Sequence, residues 1–409
     1  MAGKTLINSV AYENTEGKTL VGGTAYDIKV GKTLIGGTAY DIGSTVLPPA
    51  LLDLWPDGYR FGRIIHANGY WVAVGSYSDG SNYYCAIAYS VRLNGPWTTK
   101  TLWGGATHSS YVRGHDIVFA NGYWVVVGRQ LENSTYYARM AYATSLDGTW
   151  TTKDLWSATK ADTFKESECN GLTSIIYANG YFVVTGEQYS SSTTCHAKIA
   201  YATTPGGAWS TKNLWSGTGS VAYCVTYANG YWVVGGRYAI SSSIPNARIA
   251  YATSLDGTWT TKNLWSSAKA FEFVKSITYA NGYWVACGAH YQSSTYNSVV
   301  AYSTSPGGTW TRVSLWTGDE SCRAEEVVYI NGCWVVCGLK GGCISYAITP
   351  NGTWTHHKAW TSSAENCGLY SIIYDDGYWV AVGAHYISGT GYIARMVYAQ
   401  TIGELGQNG

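Results

Sequence analysis

One ten-residue phrase, written seven times, constrains this chain more than anything else in it. The copies are HANGYWVAVG (66–75), FANGYWVVVG (119–128), YANGYFVVTG (177–186), YANGYWVVGG (227–236), YANGYWVACG (279–288), YINGCWVVCG (329–338) and YDDGYWVAVG (374–383). They recur roughly every 50 residues, the period of a propeller or of a solenoid array. In each copy an apolar run meets Asn-Gly or Asp-Gly and then a second apolar run. Such a pair fits a type I′ turn, which needs positive φ at both central residues, so each phrase reads as a β-hairpin of strands A and B.

A second recurring half follows each hairpin. Its six copies are IAYSVRLNGPWTTKTLW, MAYATSLDGTWTTKDLW, IAYATTPGGAWSTKNLW, IAYATSLDGTWTTKNLW, VAYSTSPGGTWTRVSLW and ISYAITPNGTWTHHKAW. These supply strands C and D around another tight turn. The seventh unit runs out as ARMVYAQTIGELGQNG (394–409) with no strand D, while ALLDLW (50–55), ahead of the first strand A, matches the tail of TTKDLW. An open array would expose two sheet edges, whereas a ring that takes its last outer strand from its own N-terminal side exposes none at length. The expectation is an all-β chain: a seven-bladed β-propeller over about 50–402, closed by an N-terminal outer strand between the segments near Leu52 and Val397. All 19 Trp fall on repeat positions, six on strand B, six at the start of D and seven at its end. That places them in packing between blades rather than in stacking on a ligand.

Composition narrows the function. Charged residues make up 12% and the net charge is +1, which does not supply the basic face that nucleic-acid binding requires. No run approaches the ~18 apolar residues of a membrane span. The start MAGKTLINSV lacks the apolar core of a secretory signal. Of the ten Cys, five (Cys224, Cys287, Cys333, Cys337 and Cys343) sit in strand-like runs and read as small buried apolar residues. No spacing demands disulfides, and neither paired CxxC nor clustered His points to a metal. No cofactor is expected.

The first 46 residues carry a shorter repeat of period 14: GKTLINSVAYENTE (3–16), GKTLVGGTAYDIKV (17–30) and GKTLIGGTAYDIGS (31–44). Each reads as a small hairpin that is too small to be stable alone. The expected division is residues 1–46 and a propeller over 47–409. This GKTLIxGTAYDI pattern resembles N-terminal segments of tail or fibre-like virion proteins from phages and prophages of Gram-positive gut bacteria. The resemblance implies location in a virion and attachment to other virion proteins, with Lys4, Leu6, Lys18, Leu20, Lys32, Leu34 and Tyr40 as attachment positions and the C-terminal head displayed. It transfers no catalytic residue. A looser resemblance links SLDGTW (145–150 and 254–259) to the Asp-box of sialidase-like propellers. Here Asp and Gly are adjacent, one residue short of that box, and the aligned positions are Asn94, Asp147, Gly206, Asp256, Gly307 and Asn351. All three residue types tolerate turn backbone, so Asp147 and Asp256 read as structural.

Up-and-down strand order puts the short A–B and C–D turns on one face and the long B–C and D–A loops on the other. The long loops are rich in Tyr, Ser, Asn and Gly, a palette suited to adaptable contacts on a rigid scaffold. The first residues after strand B are the candidate ligand-binding set: Tyr77, Arg129, Glu187, Arg237, His290, Tyr291, His385 and Tyr386. Arg139, Lys198, Arg248 and Arg395 recur on strand C and read as cross-strand or inter-blade ties. Hydrolysis of the sialidase type would need an arginine cluster, a nucleophile and an acid gathered at the axis, and two-carboxylate glycosidases need a spaced acid pair. The acids of the long-loop face are irregular, and Glu325 and Glu326 are adjacent on one strand and so point apart. The reading is a non-enzymatic virion protein whose propeller binds a host cell-surface glycan or protein or decorates the particle. The alternatives are a lectin-like propeller outside a virion and a sialidase-like glycosidase.

Overall fold

The computed structural model describes residues 4–7, 10–13, 18–21, 24–27, 31–35, 38–42, 50–55, 58–106, 112–159, 171–191, 194–239, 245–266, 272–292, 295–318, 322–360, 367–389 and 391–405. The chain divides into two compact units, Met1–Pro48 and Pro49–Gly409.

In the first unit the 14-residue repeats form three antiparallel hairpins, Lys4–Ile7 with Val10–Glu13, Lys18–Val21 with Thr24–Asp27, and Gly31–Ile35 with Thr38–Ile42. Each sets its Lys opposite an acid in register: Lys4 and Glu13, Lys18 and Asp27, Lys32 and Asp41. The first two hairpins join into one four-stranded sheet, and the third is a separate two-stranded sheet. The residues read as their turns (8–9, 22–23 and 36–37) lie outside the described residues.

The second unit is all-β, seven four-stranded blades arranged as a propeller. Strands A are Gly58–Ala67, Val112–Ala120, Gly171–Ala178, Val221–Ala228, Phe273–Ala280, Ala324–Ile330 and Gly368–Asp375. Successive strands A touch one another around the ring, the seventh touching the first, so they line the axis. The seventh blade takes Ala50–Trp55 as its outer strand, antiparallel to Gly391–Ala399, with Leu52 opposite Met396 and Leu51 opposite Val397. The expected closure is therefore present.

The turns follow their residues. At all seven A–B corners the first residue has φ between 47° and 52° (six Asn and Asp376) and the following Gly between 78° and 83°, which is the backbone of a type I′ hairpin. The tryptophans do three kinds of work. Those of strand B, such as Trp71, Trp124 and Trp232, are fully buried. Those at the start of D close the preceding turn, as when Trp150 Nε1 donates to the carbonyl of Leu146 at 3.1 Å. Those at the end of D cross to the next blade: Trp103 to the carbonyl of Arg129 (3.1 Å), Trp156 to Glu187 (2.7 Å), Trp215 to Arg237 (2.8 Å) and Trp265 to Ala289 (2.8 Å). The glycine ending the phrase makes room for them, since a Cβ at Gly236 would stand 2.9 Å from Trp215 and 2.0 Å from the carbonyl oxygen of Val221.

The lysine of TTK has a role that its sequence position does not disclose. Lys100 donates to the carbonyls of Asp147 and Gly148 in the next blade, Lys153 to Gly206 and Gly207, and Lys212 to Asp256 and Gly257. Asp147 and Asp256 thus serve in turns whose backbone is tied to the neighbouring blade. The strand-C cations are cross-strand ties: Arg139 to Asp154, Arg248 to Asn263 and Arg395 to Asp53, with Lys198 bonded to Gln188. Among the described residues every Cys is a free thiol. Burial pushes the thiols of Cys85, Cys287 and Cys337 far up and that of Cys224 to about 12, which suits apolar filler rather than a nucleophile or metal ligand.

Candidate functional site: the axial mouth on the long-loop face

Every strand A carries the same irregularity near its N-terminal end. The register against strand B slips between Phe61 and Arg63, Gly114 and Asp116, Leu172 and Ser174, Ala222 and Cys224, Val274 and Ser276, Ala324 and Glu326, and Leu369 and Ser371. A bulge leaves one residue out of the ladder and re-aims its side chain. The seven residues so released are Gly62, His115, Thr173, Tyr223, Lys275, Glu325 and Tyr370. They form a ring around the axis at the end of the barrel where the long loops emerge.

The contacts of that ring run from blade to blade. The Lys275 ammonium lies over the Tyr223 ring at 4.3 Å and 3.7 Å from a Glu325 oxygen. Arg323, two residues before Glu325, donates to the same carboxylate. Arg60 donates to the Tyr370 hydroxyl at 3.3 Å and its guanidinium covers that ring. His115 Nδ1–H donates to the carbonyl of Leu172 at 2.6 Å, and Thr173 donates to that of Ala222 at 2.5 Å. One tier deeper stand Arg63, Asp116 and Glu326. Arg63 bonds to Glu326 across the axis and lies 3.6 Å from Asp116. Glu326 also accepts from the Ile372 amide, and Asp116 from Ser174 and the Ile175 amide. Arg63 forms the floor of the mouth.

Charge dominates this site. Arg60, Arg63, Arg113, Lys275 and Arg323 stand against Asp116, Glu325 and Glu326. Burial, aided by the fields of Arg129 and Arg113, holds the His115 imidazole well below the usual histidine range, so it is neutral at pH 7. Burial also opposes ionisation of Glu325, but Lys275 and Arg323 outweigh it and hold that carboxyl below the usual range. For Asp116 and Glu326 burial prevails and raises both.

The candidate residues chosen from sequence divide. Arg129 is buried beside Gly171 on the neighbouring strand A and acts on His115, so it belongs to the axial cluster. Arg237 lies close to Gly219. Glu187 and His290 are interior rather than rim residues, because the strand-B position after the glycine faces the next blade. His290 Nδ1 is 2.9 Å from Glu272, whose other oxygen accepts the Tyr291 amide. Tyr77 stacks on Tyr84, Tyr291 and Tyr386 meet Tyr296 and Tyr392 edge-on, and His385 bonds Arg395. Glu325 and Glu326 do serve different partners. Glu166, Glu168, Asp319 and Glu320 lie outside the described residues, as do 107–111 and 160–170 of the long loops. Sequence reading passed over Arg60, Arg113, Tyr223, Lys275, Arg323 and Tyr370. Aligning the blades on their turns would have exposed them, since the position five residues before the last of strand A is different in nearly every blade.

No protein-family model and no curated protein matches the sequence. Among solved structures the chain is similar to the polysaccharide lyase Uly1, at 12% identity and TM-score 0.52, over 90% of this chain and 93% of that one. Weaker likenesses are a Trypanosoma rangeli sialidase complexed with sialic acid (12% identity, TM-score 0.41, 92% of this chain and 57% of that one) and Sqt1 from Chaetomium thermophilum (10%, TM-score 0.45, 86% and 98%). The class that these findings and the blade topology define is the β-propeller, and at such identity the likeness extends to the fold alone.

Proposed function

We propose that this chain is a non-catalytic recognition protein of a phage particle, attached by its N-terminal repeats and presenting the long-loop face of the propeller to a host-surface glycan or protein. The observation that carries the recognition part is the distribution of variation inside the chain. The seven units agree wherever blades pack and differ at the bulge ring and in the loops beside it, all at one end of the axis. Placement on a virion rests on the resemblance of residues 3–44.

The axial cluster of arginines and acids gives a glycosidase reading its one specific support. Against it, Asp116 and Glu326 are each held by a backbone amide and by the Arg63 charge, and Glu325 is shared by two cations. None of the three is left as a mobile acid or base facing a water. The test is immunogold electron microscopy of purified particles together with a glycan panel probed with the isolated protein. Labelling on particles and retention of a glycan without release of reducing ends are expected. Absence from particles removes the virion role, and turnover of any glycan removes the non-catalytic one.

A further inference from the structure

Three features outside the repeat pattern stand out: the apolar Val91 and Ile348 exposed at C–D turns, the buried His290–Glu272 pair, and the axial mouth. The two turns carry nothing that identifies a partner. The pair is fully used in holding strand B of its blade against the start of strand A. The mouth reaches further.

We propose that the axial mouth binds an anionic saccharide, a carboxylate or sulfate group being held among Arg60, Arg113, Lys275 and Arg323 with the sugar ring against Tyr223 and Tyr370. This rests on the recognition reading above and names its ligand class.

Four observations lead there. First, the cations exceed the carboxylates. Five cationic side chains share a mouth with three acids, two of which are engaged a tier deeper with Arg63. The whole chain is nearly neutral at +1, so this positive charge is a local concentration rather than a general property. Second, the cations come from several blades. Arg60, Arg113 and Lys275 stand on the first, second and fifth strands A, and Arg323 immediately precedes the sixth. Like charges converging on one axis repel in a low-dielectric cleft, and an anion entering from solvent relieves that repulsion. Third, the guanidinium and ammonium groups are placed on tyrosine rings, Arg60 on Tyr370 and Lys275 on Tyr223. A half-buried tyrosine offers an apolar face and a hydroxyl together, which matches a pyranose with its alternating C–H and O–H surface. Fourth, Gly62 leaves one sector of the ring without a side chain, a Cβ there being 2.7 Å from the carbonyl oxygen of His115. Nucleic acid fits less well, since no basic stripe continues the mouth across the face.

The test uses the full chain in calorimetric titrations against polygalacturonate, a sulfated galactan, neutral dextran and poly-glutamate, at two salt concentrations. Saturable binding is expected for one or both acidic polysaccharides, weakening with salt, with dextran and poly-glutamate inert. The uronate and sulfate arms tell which anion is preferred. Arg113→Gln and Lys275→Gln should each weaken binding about tenfold, the scale of one charged hydrogen bond. Arg92→Gln on the opposite face should leave it unchanged. Melting curves confirm that each variant is folded, and the salt dependence of the unaltered protein is a readout that needs no variant. Equal binding of dextran, or folded Arg113 and Lys275 variants of full affinity, overturns the anionic ligand while leaving recognition standing. Equal binding of poly-glutamate reduces the mouth to a general polyanion surface and overturns the saccharide. Failure to bind any glycan, acidic or neutral, overturns both the inference and the glycan form of the recognition reading.

Discussion

The outer and inner strands of the blades are held to opposite rules. Along strand D the chain writes nearly the same word each time, and every letter of it is mechanical. The first Trp closes a turn, the Lys ties the next blade's turn, and the last Trp reaches the next blade's strand B. At the N-terminal end of strand A the backbone repeats as faithfully, with a bulge in all seven blades, yet the released residue is Gly, His, Thr, Tyr, Lys, Glu or Tyr. A repeated backbone with unrepeated side chains separates the part that builds the ring from the part free to specialise.

That contrast can be broken at its strongest point first. A chain beginning at Gly58 lacks Ala50–Trp55 and leaves the edge of strand Gly391–Ala399 unpaired. It should lose the cooperative thermal transition seen by circular dichroism, whereas a chain beginning at Pro49 should keep it. Equal melting of the two would mean that closure is dispensable. Next in size is Trp215→Ala, which removes a buried indole and its bond to the Arg237 carbonyl. A loss of about 3–5 kcal/mol in chemical denaturation is expected. A loss below about 1 kcal/mol, no more than an ordinary single hydrogen bond, would remove the inter-blade role of these tryptophans.

The smallest effect concerns the inner ring and pH. His115 is held neutral in the folded protein well below the usual range, while the unfolded chain takes up a proton near pH ~6.5. The unfolded state therefore binds more protons as pH falls below that value, so the stability His115 contributes above about pH 6.5 is lost on acidification. Replacing it by Gln should flatten the decline in denaturation midpoint between about pH 7 and pH 5. An unchanged decline would assign it to other groups.

Much of the fold was legible because it is local and repeated. Asn229-Gly230 requires a I′ turn wherever it sits, and six complete strand-D words with a seventh displaced to residues 50–55 leave a ring as the consistent arrangement. The strand-C arginines were legible for the same reason, since their partners lie one strand away, as Arg139 and Asp154 do. The bulge was not legible. It depends on how seven strands crowd at an axis, and no turn residue or period marks it.

By itself the sequence determined the number of blades, the turns that join their strands and the closure between the two ends of the propeller segment, because each follows from short-range backbone preference multiplied by a period. Only the tertiary structure decided that Arg63 would meet Glu326 across 263 residues, or that Tyr223, Lys275, Glu325 and Arg323 would share one mouth. Those meetings arise when strands from every blade converge on a common axis, where side chains distant in sequence enter one another's electric field.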